Sequence, residues 1–279
     1  MKLGSLFDGA GTFPFAATIC GVEPVWASEI EPFPIAVTSK RFPNMKHLGD
    51  ITKIDGTKIE PVDIITFGSP CQDLSVAGKR VGLDGQRSGL FMEAVRIIKE
   101  MRSVTNGEYP RAYCWENVTG AYNSNGGEDF RVVLEELCKI SDSKAYVPRP
   151  TDGGGETNES LWRGAGLILG DTYSVAWRTF NAEFWGVPQM RRRIYLVGCP
   201  SSQSAGQILF ESDGLSRNFA EIRKAWEGDS ANLERSFRKT SGGGRSVEWH
   251  SMDHRLKLHE DGVATTISVA DTPMTTERA

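Results

Sequence analysis

One cysteine stands where an apolar run stops. In "VDIITFGSPCQDLSVAG", residues 62–78, Cys71 follows Gly68, Ser69 and Pro70 and precedes a polar, glycine-rich segment, whereas a free cysteine is usually a small buried hydrophobe. A thiol at its free pKa of roughly 8.5 is mostly protonated at neutral pH; a helix N-terminus or a nearby arginine favours the thiolate that attacks electrophiles. Further along, "RAYCWENV" carries Glu116 and Asn117 at the end of an apolar run, and "QMRRRIYLVG" carries Arg191 and Arg193 at the start of another. If these runs are strands of one sheet, a nucleophile, a carboxylate and a guanidinium meet at one rim. The plainer alternative makes Glu116 a cap and the arginines surface charge.

A second group of residues suits a nucleotide-like ligand. "FDGAG" is a tight turn with Gly9 and Gly11 ahead of a helical pattern, and Pro14 stands where a dinucleotide fingerprint would have its third glycine. Glu29 lies 18 residues beyond Gly11, near the roughly 20-residue offset of an acid that holds ribose hydroxyls. Asp50 follows another glycine in "GDI". Each acid taken singly is as readily a cap or turn residue; together they sketch an adenosine pocket.

These groups need a scaffold that brings strand ends together. Strand-like runs "KLGSLF", "EPVWAS", "DIITFG", "RAYCW", "YSVAWRTF" and "RIYLVG" alternate with helix-like ones up to about residue 199, the pattern of an α/β fold with a doubly wound, mainly parallel sheet, whose ligands gather at the carboxyl ends of the strands. "TFPFAATIC" has Pro14 placed to start a helix and Gly21 to stop it. In "SGLFMEAVRIIKEM", Leu90, Ala94, Ile97 and Met101 share one helical face. Residues 141–170 turn rich in Gly, Pro and polar side chains and read as a long surface insertion. Residues 200–263 have weak periodicity, and 264–279 offer one β-like stretch, so the expected organisation is a domain over 1–199, a smaller region over 200–263, and the start of a return to the first domain.

The totals narrow the class. The 279 residues are 39% hydrophobic, enough for a substantial core. No run approaches the roughly 18 apolar residues of a membrane span, and no basic-then-apolar leader follows Met1, so a cytoplasmic protein is expected. Five widely spaced cysteines without a C-x-x-C signal neither a disulfide framework nor a zinc site. The net charge of −4 leaves nucleic-acid binding to a local basic face, for which Lys79, Arg80, Arg87 and the Arg191 to Arg193 triplet are candidates.

In "LFDGAGTFPFA", "GSPCQDLSVAGKR", "WENV" and "WGVPQMRRRIYLVG", taken in order, the chain resembles the DNA cytosine-5 methyltransferases that use S-adenosyl-L-methionine. The long loop and tail most resemble bacteriophage and prophage members. The resemblance implies a Rossmann-like class I methyltransferase fold with a small target-recognition region over 200–263. It implies that Cys71 adds to C6 of a cytosine flipped out of double-stranded DNA, that Glu116 binds the N3 and amino edge, that Arg193 steadies the same base, and that Arg191 steadies the active-site carboxylate or backbone. For the cofactor it implies Phe7 near the adenine, Glu29 on the ribose hydroxyls, Asp50 on the adenine amino group and the Gly9 to Gly11 turn beside the methionine part, with Asp8, Ile30, Ile51 and Pro70 as further contacts. Gln72, Ser75, Lys79, Arg80 and Arg87 are the implied DNA contacts, in a loop that closes over the site. No metal is implied, and the setting is a monomer in a bacterial or phage-infected cell. The family's closing Gly-Asn helix is not in this sequence, which leaves three readings open: a truncated product, one half of a two-chain enzyme completed by a C-terminal partner chain, or a natural short form that no longer turns over. Methylation of cytosine in RNA and a binding subunit awaiting that partner remain open beside it, and a nicotinamide-dependent oxidoreductase would leave Cys71, Glu116 and the arginine triplet without work.

Overall fold

A computed structural model describes residues 1–70, 89–148, 162–186 and 188–210, and the backbone of 266–268. The first half alternates strand and helix: β1 (Lys2–Leu6), α1 (Thr12–Ile19), β2 (Glu23–Ser28), α2 (Pro32–Arg41), β3 (Lys46–His47), β4 (Ile64–Phe67), α3 (Gly89–Val104) and β5 (Ala112–Val118). Then follow α4 (Glu128–Cys138), β6 (Ala165–Leu169), β7 (Ser174–Asn181), β8 (Arg192–Cys199), α5 (Ala205–Phe210) and β9 (Thr266–Ser268). The described strands form one mixed sheet in the order β3-β2-β1-β4-β5-β8-β7-β6-β9. Strands β3 to β5 run parallel, β8 turns antiparallel to β5, and β7 and β6 continue antiparallel.

Alternation along β4 shows how both faces are covered. Ile65 and Phe67 enter the main core with Phe91, Ile97, Ile98 and Met101 of α3, while Ile64 packs with Leu3, Ala17 and Val22 on the side of α1. Helix α3 buries Ala94, Ile97 and Met101 as the periodicity predicts, with Leu90 half-buried at its start. Helix α1 begins at Thr12, so Pro14 lies in its first turn, where a missing N–H costs nothing. Gly21, at φ 71°, closes it: the next amide, of Val22, donates back to the Ala17 carbonyl at 2.8 Å.

One reading of the sequence changes. Residues 141–170 are not a surface insertion throughout: Ala145 and Val147 are buried, Trp162 is a core residue, and Ala165–Leu169 is strand β6. The Trp162 ring meets Phe130 edge-on at 5.3 Å and its Nε1 donates to the Gly127 carbonyl at 2.7 Å. Residues 149–161 of that segment, and 211–265, lie outside the described residues. The sheet is mainly parallel, as the sequence pattern predicts, with antiparallel pairing confined to β5–β8, β8–β7 and β7–β6 among the described strands. That matters, because the antiparallel β8 brings its N-terminal end to the rim where β5 finishes.

Three glycines lie under aromatic rings of the neighbouring strand: Gly4 beside Trp26, Gly166 beside Trp177 and Gly198 beside Tyr113. A Cβ on Gly4 would stand 2.1 Å from the Trp26 ring, which is fully buried and donates its Nε1 to the Glu60 carbonyl at 2.9 Å. Gly4→Ala is therefore expected to destabilise the fold by about 1–3 kcal/mol through overpacking. A lower denaturation midpoint at unchanged slope would show it; an unchanged midpoint would mean the ring shifts at no cost.

Candidate active site

The ends of β1, β2, β3, β4 and β5 lie along one rim because the register pairs Leu6 with both Ser28 and Phe67, and Phe67 with Trp115. Strand β8 joins the same rim from its start, Val118 pairing with Arg193. The result is a carboxylate and a guanidinium in contact: Arg193 Nε lies 3.0 Å from Glu116 Oε1, both side chains partly buried. Gly68 makes room for this pair, since a Cβ there would lie 3.3 Å from Glu116 Oε2.

The chain leading to Cys71 is tied to the same strand. Asn117 Nδ2 donates to the Ser69 carbonyl at 3.1 Å and Trp115 Nε1 donates to Ser69 Oγ at 3.2 Å. Both bonds are buried, where an unsatisfied donor would cost about 1–3 kcal/mol. Ser69 is thus fixed beside Glu116, and Pro70 is exposed at the rim. Cys71, with Gln72, Ser75, Lys79, Arg80 and Arg87, lies outside the described residues. Of the other cysteines, burial chiefly pushes the Cys114 and Cys138 thiols up to about 12, so both stay protonated and unreactive.

The expected division of labour between the arginines changes. The carboxylate partner is Arg193; Arg191 is held through its backbone, its N–H donating to Asn181 Oδ1 at 3.0 Å while its carbonyl accepts from Ala182 N–H at 3.0 Å. The side chain of Arg191 instead lines a cavity of about 390 Å³ with Arg193, Phe180, Ala182, Trp185 and Tyr195. Asn117, Ser69 and Asn181 were not among the sequence candidates, and neither were the three aromatic residues. Asn117 sits inside the quoted "WENV", but its acceptor is 48 residues away.

At the other end of the rim, Phe7, Gly9 and Gly11 all have positive φ, of 55°, 54° and 79°. For Phe7 that is a strained conformation. The strain is held by anchors on both sides: the Asp8 N–H donates to the Ser28 carbonyl at 3.1 Å, and the Gly9 N–H donates to Glu29 Oε2 at 2.8 Å. Glu29 Oε1 also accepts from Ile30 N–H at 2.7 Å and Glu31 N–H at 3.0 Å, which leaves one lone pair, on Oε2, for a ligand hydroxyl. Asp50 acts as a cap, its Oδ1 accepting from Thr52 N–H at 3.0 Å. Ile30 is exposed, whereas Ile51 is buried where it opens the 3-10 turn that Asp50 caps. Arg96 of α3 holds that turn, donating to the carbonyls of Ile51 and Ile54 at 3.1 and 2.9 Å.

Asp8 stands apart. It is buried, and neither carboxylate oxygen has a protein hydrogen bond. Burial chiefly, with the Glu29 charge adding to it, pushes its carboxyl up to about 6 from an ordinary 3.8. The folded state then holds this proton more tightly than the unfolded chain, so the associated stability is full below pH 3.8 and lost as pH rises to about 6. Asp8→Asn, which carries no charge to bury, is expected to be more stable than the parent by up to about 3 kcal/mol at neutral pH, with the gap closing toward about pH 4. Urea unfolding of both chains at the two pH values measures it, and an equal gap at both would contradict the assignment.

A strained glycine turn, a tethered acid and a carboxylate–guanidinium pair thus lie along the strand-end rim of an α/β sheet, the place where such folds gather their ligands. The particular family follows from sequence comparison: the chain belongs to the C-5 cytosine-specific DNA methylases, whose family model matches residues 1–141 and 168–256. It is similar to a protein of Escherichia phage P1 described as a DNA N-6-adenine-methyltransferase, 33% identical over 246 residues, covering 82% of this chain and 32% of that one. It is similar to the type II methyltransferase M.NgoBV of Neisseria gonorrhoeae, 33% identical over 190 residues, covering 68% of this chain and 37% of the other. The chain thus spans about a third of the length of these relatives. A solved structure of a putative DNA modification methyltransferase from an Escherichia coli prophage matches with a TM-score of 0.48 at 20% identity, covering 71% of this chain and 46% of the other. Among the described residues no helix is long and apolar enough to cross a membrane.

Proposed function

We propose that this chain transfers a methyl group from S-adenosyl-L-methionine to C5 of a cytosine in double-stranded DNA. The observation that carries the reading is the Glu116–Arg193 pair fixed beside Ser69, two residues before Cys71. Carbon C5 of cytosine is a weak nucleophile, so the chemistry needs a covalent assistant. Cys71 Sγ forms a bond to C6 while Glu116 gives a proton to N3, and the electrons of the C5=C6 bond become available at C5. The cofactor, when bound, supplies an electrophilic methyl group on a sulfonium sulfur. After C5 has taken the methyl group, loss of the C5 proton re-forms the C5=C6 bond, Cys71 leaves as thiolate, and N3 returns its proton. Arg193 orients Glu116 and the base edge throughout. The base must be flipped out of the duplex, at about a few kcal/mol, and Gln72, Ser75, Lys79, Arg80 and Arg87 are the proposed contacts to the DNA around it.

The residues present fit the cofactor. Glu29 has a lone pair left on Oε2 for a ribose hydroxyl, Phe7 lies beside the turn, and the orphaned Asp8 carboxylate suits the ammonium group of the methionine part. Asp50 retains Oδ2, 3.5 Å from Lys53 Nζ, for the adenine edge. A C-terminal partner chain that closes the cofactor pocket belongs to the same proposal.

The phage P1 relative raises the alternative of adenine methylation. An exocyclic amine has its own lone pair and needs no thiol adduct, which leaves Cys71 unused; the cytosine reading is therefore preferred. Transfer of labelled methyl groups to DNA, with transfer RNA as competitor and the position of the label identified in the digested nucleosides, tests it. Label on C5 of deoxycytidine supports the reading. Label on adenine N6, or transfer to transfer RNA alone, overturns it.

A further inference from the structure

Beside the proposed catalytic pair lies a cavity that shares Arg193 with it and whose aromatic walls have no part in the chemistry. Phe180 ends β7, Tyr195 stands opposite Glu116 on β8, and Trp185 belongs to the turn between the two strands. Their rings form an edge-to-face set, Phe180 meeting Trp185 at 5.7 Å and 66°, and Tyr195 at 5.6 Å and 72°. Arg178 stacks on Phe180 with its guanidinium 5.2 Å from the ring centre. The cavity of about 390 Å³ is completed by Ala182, Arg191 and Arg193, and Trp185 remains 43% exposed at its mouth. An isolated aromatic set of this kind could be simple packing. A half-exposed indole beside two arginines, sharing one of them with Glu116, is not placed to stabilise a core.

We propose that this cavity binds the nucleobase next to the flipped cytosine on the target strand, stacked on Trp185, with Arg191 meeting the intervening phosphate. The inference rests on the nucleic-acid substrate proposed above and extends its site by one nucleotide. The chemistry is that of single-strand binding: aromatic faces accept any base, and guanidinium groups follow the backbone. Arg193 is shared by both subsites, its Nε on Glu116 and its side chain in the cavity wall, so a base placed there is the immediate neighbour of the target. Trp185 is on this account a positioning residue, and its ring would hold open the unstacked step that flipping creates.

The test is binding, which needs no methyl transfer. The full chain, Trp185→Ala and Trp185→Phe are titrated with a dT 12-mer and with an abasic 12-mer of the same phosphate count. The expected result is a loss of about fivefold or more for Trp185→Ala on the dT 12-mer, no change on the abasic chain, and near-complete recovery in Trp185→Phe. Indole emission should also fall when the dT 12-mer is added to the parent, and this drop should be absent from Trp185→Phe. Equal affinity of Trp185→Ala and the parent for the dT 12-mer overturns the assignment, as does an equal loss on both oligomers. Should the alanine variant fail to fold, the emission difference between parent and Trp185→Phe decides: quenching supports stacking and its absence overturns it. A parent chain that binds a cytosine-containing duplex but neither oligomer overturns this assignment alone, and one that binds none of the three overturns the nucleic-acid reading as well, so the two failures are distinguishable.

Discussion

Replacing Cys71 by alanine is expected to reduce methyl transfer to DNA by about 10⁴-fold or more, because the C6 adduct is the step that makes C5 nucleophilic and no other group can form it. Cys114 is the nearest alternative in sequence order on the sheet, and burial keeps its thiol at about 12. Cofactor binding should survive, since Glu29, Gly9 and Asp8 are anchored to one another and to β2 rather than to the Cys71 segment. Two assays separate these effects: transfer of labelled methyl groups, and titration of the cofactor by calorimetry. A Cys71→Ala chain that methylates within tenfold of the parent would remove the covalent route and reopen direct transfer to an amine.

The second large effect is expected at Glu116. Glu116→Gln keeps the size of the side chain and its contact with Gly68, but it cannot deliver a proton to N3, and loss of general acid assistance costs about 10²–10⁴ in rate. It also leaves Arg193 without its charged partner at 3.0 Å. The loss should therefore fall on kcat rather than on the Kd for cofactor. Single-turnover rates measured across pH would show it as the disappearance of one limb of the profile. A rate reduced only through weaker DNA binding would instead make Glu116 a positioning residue.

Much of the rim was legible because its signals are local. A glycine turn after a strand, an acid about 18 residues on and a proline-cysteine step after an apolar run each declare themselves within a few residues. Strands β1, β2, β4, β5, β7 and β8 were readable from their apolar runs for the same reason. Strand β3, two residues long, carries no periodicity to detect. Strand β6 was hidden because "AGLIL" lies within a segment otherwise rich in glycine and polar residues, so composition outvoted a short pattern. Helix α4 was not singled out, although Phe130, Val133, Leu134 and Leu137 repeat at helical spacing.

Pairings across the sheet were not legible. That Arg193 and not Arg191 takes the carboxylate depends on the register of β8 against β5, set across the 73 residues between Val118 and Arg192, and a slip of two positions would exchange the two arginines. The tether of Ser69 to Asn117 has the same origin. The burial of Ile51 was not legible for a different reason: motif spacing identifies a position on the chain, while the 3-10 turn decides how far its side chain is buried. Asp8 illustrates the reverse, since nothing in "FDGAG" announces that this carboxylate is buried without a partner.

The central claim is the thiol adduct, and it has a direct measurement. Double-stranded DNA carrying 5-fluorocytosine is incubated with the chain and S-adenosyl-L-methionine, with and without a C-terminal partner chain, and the product is denatured and digested for mass spectrometry. Fluorine at C5 cannot leave as a proton does, so the cysteine cannot be expelled after the methyl group has been taken up. The account expects a denaturation-resistant protein–DNA complex that needs the cofactor, is absent in Cys71→Ala, and maps to Cys71. A chain that methylates ordinary DNA yet forms no such complex, or forms it on another residue, would contradict it.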